Sequence, residues 1–313
     1  MQMTIVGGAV VSPFLCQVDT ASVGSKSRVL ITGGTGSLGS VLARTLLAEG
    51  YPVTILSRDP HRQAALLADP AYAKATFILA DICDRGAVAR ACEGQDWVVH
   101  AAAAKIVSLG ETNIREYLRV NVEGTDTVAS AARAAGIGRC LLISSDKAAA
   151  AANAYGKTKA LAELVWRSYD RWQTRFAVLR YGNVVDSHGA FWEVWQKNLM
   201  LGQPIHVREP EPTRFLLTLS EAVSLVKVAM GLAIPADLEG ITLVPNGLPA
   251  FSLWDVALEL EPRARWVLEP LGPGEKQHEV LVGANEGVRA CDCTFARVDA
   301  WSSGSLDRLP FCW

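Results

Sequence analysis

An apolar run at 28–32 passes directly into Gly33-Gly34-Thr35-Gly36-Ser37-Leu38-Gly39, and 38–48 then carries helical spacing. Glycines three apart between a strand and a helix leave few folds open. Gly33 permits a tight turn, Gly36 lets the backbone approach a pyrophosphate, and Gly39 lets the helix lie close on the sheet. The helix N-terminus then points free N–H groups at an anion. The segment reads as the first βα unit of a dinucleotide-binding domain.

The unit repeats. Strand patterns at 53–56, 76–80, 97–100, 140–144 and 176–180 alternate with helical stretches at 62–67, 85–92, 114–135 and 154–169. Such alternation implies parallel βαβ units, and continuously apolar strands imply a sheet covered on both faces. The expected fold is α/β: a Rossmann doubly wound parallel sheet over 27–185, with a smaller C-terminal substrate-binding region. After Tyr181 glycine and proline become frequent, with helical stretches near 191–200 and 220–232. Residues 186–313 are read mainly as the substrate-binding region, with room for elements that return to the sheet.

Half of the 313 residues are apolar and the formal net charge is −2, which excludes a polybasic nucleic-acid or membrane-surface binder. The seven cysteines are scattered, and Cys291-Asp292-Cys293 lacks a second pair at zinc spacing. They read as free thiols of a cytoplasmic protein, with no metal site. Residues 5–15 are apolar, but no Lys or Arg precedes them and Gly7, Gly8 and Pro13 interrupt the run. It is too short to span a bilayer. Residues 1–26 are therefore expected to form a poorly ordered N-terminal extension, of the kind a misassigned start codon leaves.

The second strand ends Leu56-Ser57-Arg58-Asp59. A hydroxyl and a guanidinium suit a ribose 2′-phosphate, which favours NADP. Asp59 keeps NAD open, since a carboxylate there binds a 2′-hydroxyl, and Arg58 can equally be a solvated charge. Asp81, past the third strand, can accept from an adenine amino group or serve as the N-cap of the helix near Asp84. Ala101-Ala102-Ala103 end the fourth strand and leave room for a cofactor against the backbone.

Tyr155 and Lys159 stand at i and i+4 and share a helix face. An ammonium beside a phenol lowers its pKa, so Tyr155 can take a hydroxyl proton while hydride leaves the carbon, and Lys159 can bind the nicotinamide ribose. The strand before them ends Ser144-Ser145-Asp146-Lys147. An amine and a carboxyl there allow more than oxidation. A hexose oxidised at C4 has an acidic C5 hydrogen, which Lys147 can remove, while Asp146 helps the C6 hydroxyl leave as water. The plainer alternative is that Asp146 caps a helix and Lys147 is solvated.

These pieces, with HAAAAK at 100–105, NVEGT at 121–125, YGKTKALAE at 155–163, RYGNV at 180–184, PTRFLLT at 212–218 and PGEKQHEVLV at 273–282, resemble one family in its order over 28–283. It is the inverting UDP-N-acetylglucosamine 4,6-dehydratases of the extended short-chain dehydrogenase/reductases. The Asp-Lys pair discriminates: retaining dehydratases generally carry Asp-Glu there, and 4-epimerases lack the pair. The resemblance implies that Tyr155 and Lys159 run the C4 oxidation with Ser145 in the place of a threonine. Lys147 deprotonates C5, Asp146 protonates the departing hydroxyl, hydride returns to C6, and C5 is reprotonated from the opposite face. It further implies a UDP-sugar substrate, a homo-oligomer, and cofactor contacts from Thr35, Ser37, Leu38, Ile82, Asn121, Tyr181, Asn183 and Val184. Lys105 and Asn183 would meet the sugar or diphosphate, Arg214 the diphosphate or nucleoside, and Glu279, beside Lys276, the uridine ribose. The chain departs from the family at Asp186-Ser187-His188-Gly189 and in the bulky segment 190–195, which border the sugar pocket. A UDP-sugar 4-epimerase, a 5,6-eliminating dehydratase and a non-catalytic dinucleotide sensor are the competing readings.

Overall fold

The computed structural model describes residues 4–6, 9–11, 27–171, 173–185, 187–231, 240–290 and 295–300. β1 (Thr4–Val6) and β2 (Ala9–Val11) form a short antiparallel ladder. The first half then runs β3 (Val29–Thr32), α1 (Ser37–Ala48), β4 (Val53–Ser57), α2 (Pro60–Leu67), β5 (Thr76–Leu79), α3 (Arg85–Cys92), β6 (Trp97–His100), α4 (Val107–Thr112), α5 (Ile114–Tyr117), α6 (Gly124–Ala134), β7 (Arg139–Ile143), α7 (Ala154–Ser168) and β8 (Arg175–Leu179). The second half runs β9 (Asn183–Val184), α8 (Phe191–Met200), β10 (Ile205–Glu209), β11 (Thr213–Leu217), α9 (Leu219–Gly231), β12 (Thr242–Pro245), β13 (Ala250–Ser252), α10 (Leu253–Leu260), β14 (Trp266–Pro270), β15 (Glu286–Ala290) and β16 (Phe295–Ala300).

The main sheet has the order β15-β16-β12-β8-β7-β6-β3-β4-β5, and its strands from β12 to β5 are parallel. Side chains alternate across a strand, so β3 feeds two cores. Val29 and Ile31 pack with Leu42 and Leu46 of α1 and Val226 and Met230 of α9. Leu30 faces the other way and packs with Val88 of α3, Val128 of α6 and Trp166 of α7. This double cover is why β3, β4 and β6 are buried throughout. Between β3 and β6 the strand order reverses, and a crevice opens at the carboxyl ends of the strands, where such sheets bind ligands.

The described residues of 186–313 do not form one separate body. β12 pairs with β8, β16 runs antiparallel to β12, and β15 pairs with β16, so this half extends the main sheet. The rest caps the crevice with the ladder β13-β11-β9, the parallel pair β10-β14, α8 and α10. Its own core gathers Trp192, Trp195, Ile205, Val207, Leu216 and Val256.

The stretch 114–135 is not one helix. A π-helical turn, Leu118–Glu123, separates α5 from α6. The wider turn carries Asn121, whose buried amide accepts from Ala104 N at 2.8 Å and donates to Ala104 O and Thr158 Oγ1, each at 3.0 Å. No helix among the described residues is long and apolar enough to cross a membrane. Cys16, Cys291, Cys293, Cys312, Asp186, Leu232 and most of the 1–26 extension lie outside the described residues.

Candidate active site

A cleft of about 1140 Å³ lies along the carboxyl ends of the strands. Gly33, Thr35, Gly36, Ser37, Leu38 and Gly39 form one wall. Gly33 has φ +68°, and a Cβ there would stand 2.7 Å from the Ala102 backbone. At Gly39 a Cβ would stand 2.5 Å from Gly33 O. Only glycine brings the loop this close to the end of β6 and α1 this close to the loop. Gly36 is the N-cap of α1 and offers no side-chain cap, so the first N–H groups of the helix remain for an anion. A narrow glycine cradle ending in an uncapped helix fits a dinucleotide pyrophosphate. The backbone N–H of His188 also donates to Ser37 Oγ at 3.0 Å, drawing the 187–190 turn across the loop.

At the adenosine end, Ser57, Arg58, Asp81 and Ile82 line the cleft. Ser57 is buried and accepts from Gln63 Nε2 at 3.1 Å. Asp59 caps α2, accepting from Arg62 N at 3.0 Å, and pairs with Arg62 Nε at 3.3 Å. The cap before α3 is Asp84, not Asp81. Asp81 accepts from Cys83 N at 2.9 Å and from Arg119 at 3.1 Å and 3.2 Å. Burial works to raise the Asp81 carboxyl, but the Cys83 N–H and the Arg119 guanidinium prevail and hold it below its ordinary value. Ala101, Ala102, Ala103, Tyr181, Asn183 and Val184 also line the cleft, Asn183 beside Lys147. Asn121 does not reach the cleft; it ties the loop after β6 to α7.

Tyr155 and Lys159 enter from α7, whose N-cap Asn153 accepts from Gly156 N at 2.7 Å. Both line the cleft and are otherwise buried. Burial lowers the Lys159 ammonium to about 8, opposed by Glu163, and Lys159 Nζ donates to Ile143 O at 2.7 Å. Burial and then the Asp146 charge push the Tyr155 phenol above its ordinary range, while the Ser145 hydroxyl pulls the other way. Ser145 Oγ donates to Asp146 Oδ1 at 2.8 Å, and Lys147 Nζ donates to the same oxygen at 3.1 Å. Lys147 Nζ also donates to Asn183 Oδ1 at 3.2 Å. Ser145 and Lys147 line the cleft, but Asp146 is 0% exposed and lies one layer behind them. Its Oδ2 has no hydrogen-bond partner among the described residues.

The substrate-side candidates divide. Lys105 lines the cleft mouth, where desolvation and then Arg62 lower its ammonium. Glu279 lines the cleft with its carboxylate 3.7 Å from Lys147 Nζ and 2.6 Å from Lys276 Nζ. Lys276 is absent from the lining and also donates to Ala149 O at 3.2 Å. Arg214 lines the cleft but spends its guanidinium on the backbone carbonyls of Thr213, Lys276 and Gln277 at 2.8–2.9 Å. It staples the 273–283 segment to β11 rather than making an ion pair.

Two groups went unseen in the sequence. Glu116, in α5, and Arg119, in the π turn, stand beside Asp81, where Cys83 Sγ donates to Arg119 O at 3.2 Å. The second is a buried floor beneath α7. Arg180 bonds Glu163 at 2.6 Å and 2.8 Å and Glu286 at 2.7 Å and 2.8 Å, and Ser144 Oγ donates to Glu163 at 2.5 Å. A signal existed for Glu163, four residues after Lys159 on the same face.

A family model described as "Polysaccharide biosynthesis protein" matches residues 29–297. The chain is 30% identical to an inverting UDP-N-acetylglucosamine 4,6-dehydratase of Campylobacter jejuni over 269 residues, 84% of this chain and 79% of that one. It is 31% identical to a UDP-glucose 4-epimerase of Rickettsia rickettsii, over 84% of this chain and 80% of that one. Among solved structures it is similar to Pen from Bacillus thuringiensis, with a TM-score of 0.79, 28% identity and 88% of each chain covered.

Proposed function

Since the chain belongs to the polysaccharide biosynthesis protein family, we propose that it is an NADP-dependent 4,6-dehydratase of a UDP-N-acetylglucosamine-like sugar, acting with inversion at C5. The observation that carries this reading is Lys147, seated in the cleft wall and bonded to Asp146 beside Tyr155. A bound dinucleotide supplies a hydride acceptor for C4 and a hydride donor for C6, with no net redox change.

Tyr155 removes the C4 hydroxyl proton, with the Ser145 hydroxyl opposing burial and the Asp146 charge at that phenol, and Lys159 holds the nicotinamide ribose. One proton crossing the 3.1 Å Lys147–Asp146 bond leaves a neutral amine and a neutral carboxyl. The amine takes the C5 hydrogen, made acidic by the C4 ketone. Asp146 lies behind the wall, so its proton reaches the departing C6 hydroxyl through Ser145 Oγ, which it already contacts. Water is lost and Lys147 and Asp146 return to their starting charges; C5 then gains a solvent-exchanged proton on the opposite face, balanced by the proton that Tyr155 took from the C4 hydroxyl and now releases. Lys105, Asn183 and Glu279 supply polar contacts to the sugar nucleotide, with Arg214 and Lys276 holding the segment that carries Glu279.

The test is incubation with UDP-N-acetylglucosamine in deuterium oxide. The expected product has lost one water, carries deuterium at C5, and forms without stoichiometric NADPH. Lys147→Ala should abolish C5 exchange; retained exchange removes Lys147 as the base. The Rickettsia relative favours a second reading, UDP-sugar 4-epimerisation, which leaves product mass unchanged. A 5,6-alkene would be recognised by proton NMR at C6. The proposed enzyme is cytoplasmic and self-associates. Exposed Leu109, Ile114, Leu118, Leu161 and Leu164 on and beside α4, α5 and α7 support that, and light scattering would read it.

A further inference from the structure

Four charges meet at the adenosine end of the cleft. Arg58 Nη1 lies 3.0 Å from Glu116 Oε1 and 3.7 Å from Asp81 Oδ2. Arg119 bonds Glu116 at 2.9 Å and 3.0 Å and Asp81 at 3.1 Å and 3.2 Å. Two cations and two anions cancel, so the cluster is neutral. Arg58 and Asp81 line the cleft, while Glu116 and Arg119 stand behind them. Arg58 follows the end of β4, where the 2′-substituent of an adenosine ribose lies in a fold of this kind.

The cluster treats the two nicotinamide cofactors differently. A 2′-phosphate carries close to two negative charges at neutral pH. It would need the Arg58 guanidinium, and Glu116 already occupies that guanidinium. A 2′-hydroxyl is neutral and makes no such demand. Glu116 cannot simply swing aside, because Arg119 grips both of its oxygens. The same grip holds the Glu116 carboxyl below its ordinary value, so it stays ionised in the neutral range. Asp59, the acidic residue of the strand-end motif, is spent on the α2 cap and on Arg62.

We propose that Glu116 sets the NAD/NADP preference by competing with the 2′-phosphate for Arg58. Glu116 touches neither the reacting carbons nor the nicotinamide; it acts through Arg58 and limits the preference for NADP. The inference rests on the dinucleotide-site part of the proposed function and not on the dehydration chemistry.

The experiment is calorimetric titration of the full chain, freed of nucleotide, with NAD and with NADP at pH 7.5. Glu116→Gln should tighten NADP by about tenfold, the scale of one partly exposed charge-assisted pair, with NAD moving less than about twofold. Arg58→Met should weaken NADP and leave NAD unchanged. In the Arg58→Met, Glu116→Gln double variant the gain should vanish. A purely structural role for Glu116 would move both cofactors together, and that result overturns the proposal. So does a tenfold gain that survives in the double variant, or no change in the NADP:NAD ratio. Turnover is not read, so failure of the dehydratase reading would appear only in the sugar-nucleotide assay and would leave this outcome interpretable.

Discussion

Lys159→Met should relieve a cost that the fold bears in burying a charge. Burial lowers the Lys159 ammonium from its ordinary 10.5 to about 8. At roughly 1.4 kcal/mol per pKa unit, keeping that charge in place costs about 3 kcal/mol at pH 7. Between about pH 8 and 10.5 the unfolded chain binds more protons here than the folded one. The cost is therefore full below about pH 8, shrinks through that window and is absent above it. By the same linkage about 1 kcal/mol remains at pH 10. Methionine keeps most of the stem and loses the charge, but it leaves Ile143 O without its donor, an offset of about 1–2 kcal/mol that does not vary with pH. The informative quantity is the difference in urea-unfolding free energy between variant and wild type, followed by tryptophan fluorescence from pH 7 to 10. It should fall by about 2 kcal/mol over that range, in the direction of the variant losing its advantage. A flat difference, or one that grows with pH, refutes the picture of Lys159 as a desolvated cation. Turnover should drop by about 10²–10⁴-fold at pH 7, where the ammonium is charged, and the gap should narrow above about pH 8.

The alkaline limb of kcat/KM should fall near pH 8 as Lys159 loses its proton, and Lys159→Arg should move that limb upward even if the plateau drops. Arg180→Met leaves the buried Glu163 with only the 3.6 Å contact to Arg167 as an ion pair and takes the cation from the partly buried Glu286, and urea melts should show a loss of about 3 kcal/mol. Gly33→Ala forces a Cβ into the Ala102 backbone at positive φ. It should cost at least about 1–2 kcal/mol in thermal stability and remove dinucleotide binding by calorimetry. Asp146→Asn should leave C4 oxidation working and slow water loss by about 10²–10⁴-fold, so that absorbance from reduced nicotinamide builds up on adding sugar nucleotide.

Local chemistry made the first half of the fold readable. Strand, glycine turn and helix at 28–48 are decided by residues close in sequence, and β3, α1, β4, α3 and β6 fall where period and apolar runs place them. The break in 114–135 was hidden because its cause is tertiary: the buried amide of Asn121 is drawn to Ala104 and Thr158, and no residue type in LRVNVE announces a π turn. The proposed catalytic residues could be grouped from the sequence for the same reason as the glycine loop. Tyr155 and Lys159 share one helix face, and Ser145, Asp146 and Lys147 are consecutive. What spacing could not reveal is depth. Asp146 and Lys147 are neighbours in sequence, yet one is sealed and the other faces the cleft. Arg214 looked like an anion receptor, and its donors went instead to carbonyls more than sixty residues away, which only the folded chain brings near.

β8 has β7 on one side and β12 on the other, and β12 begins only at Thr242. While the chain is being synthesised, the outer edge of β8 therefore stands open until more than sixty further residues have emerged. Arg180, at the end of that strand, waits longer still for Glu286, its second carboxylate. An unpaired apolar strand edge is a template for pairing with another nascent copy. The nucleotide-binding half is thus not a module that can be cut away at the end of β8 and expected to stay soluble. Shortened variants should keep the chain through β12 at least, and through Glu286 if the floor under α7 is to close.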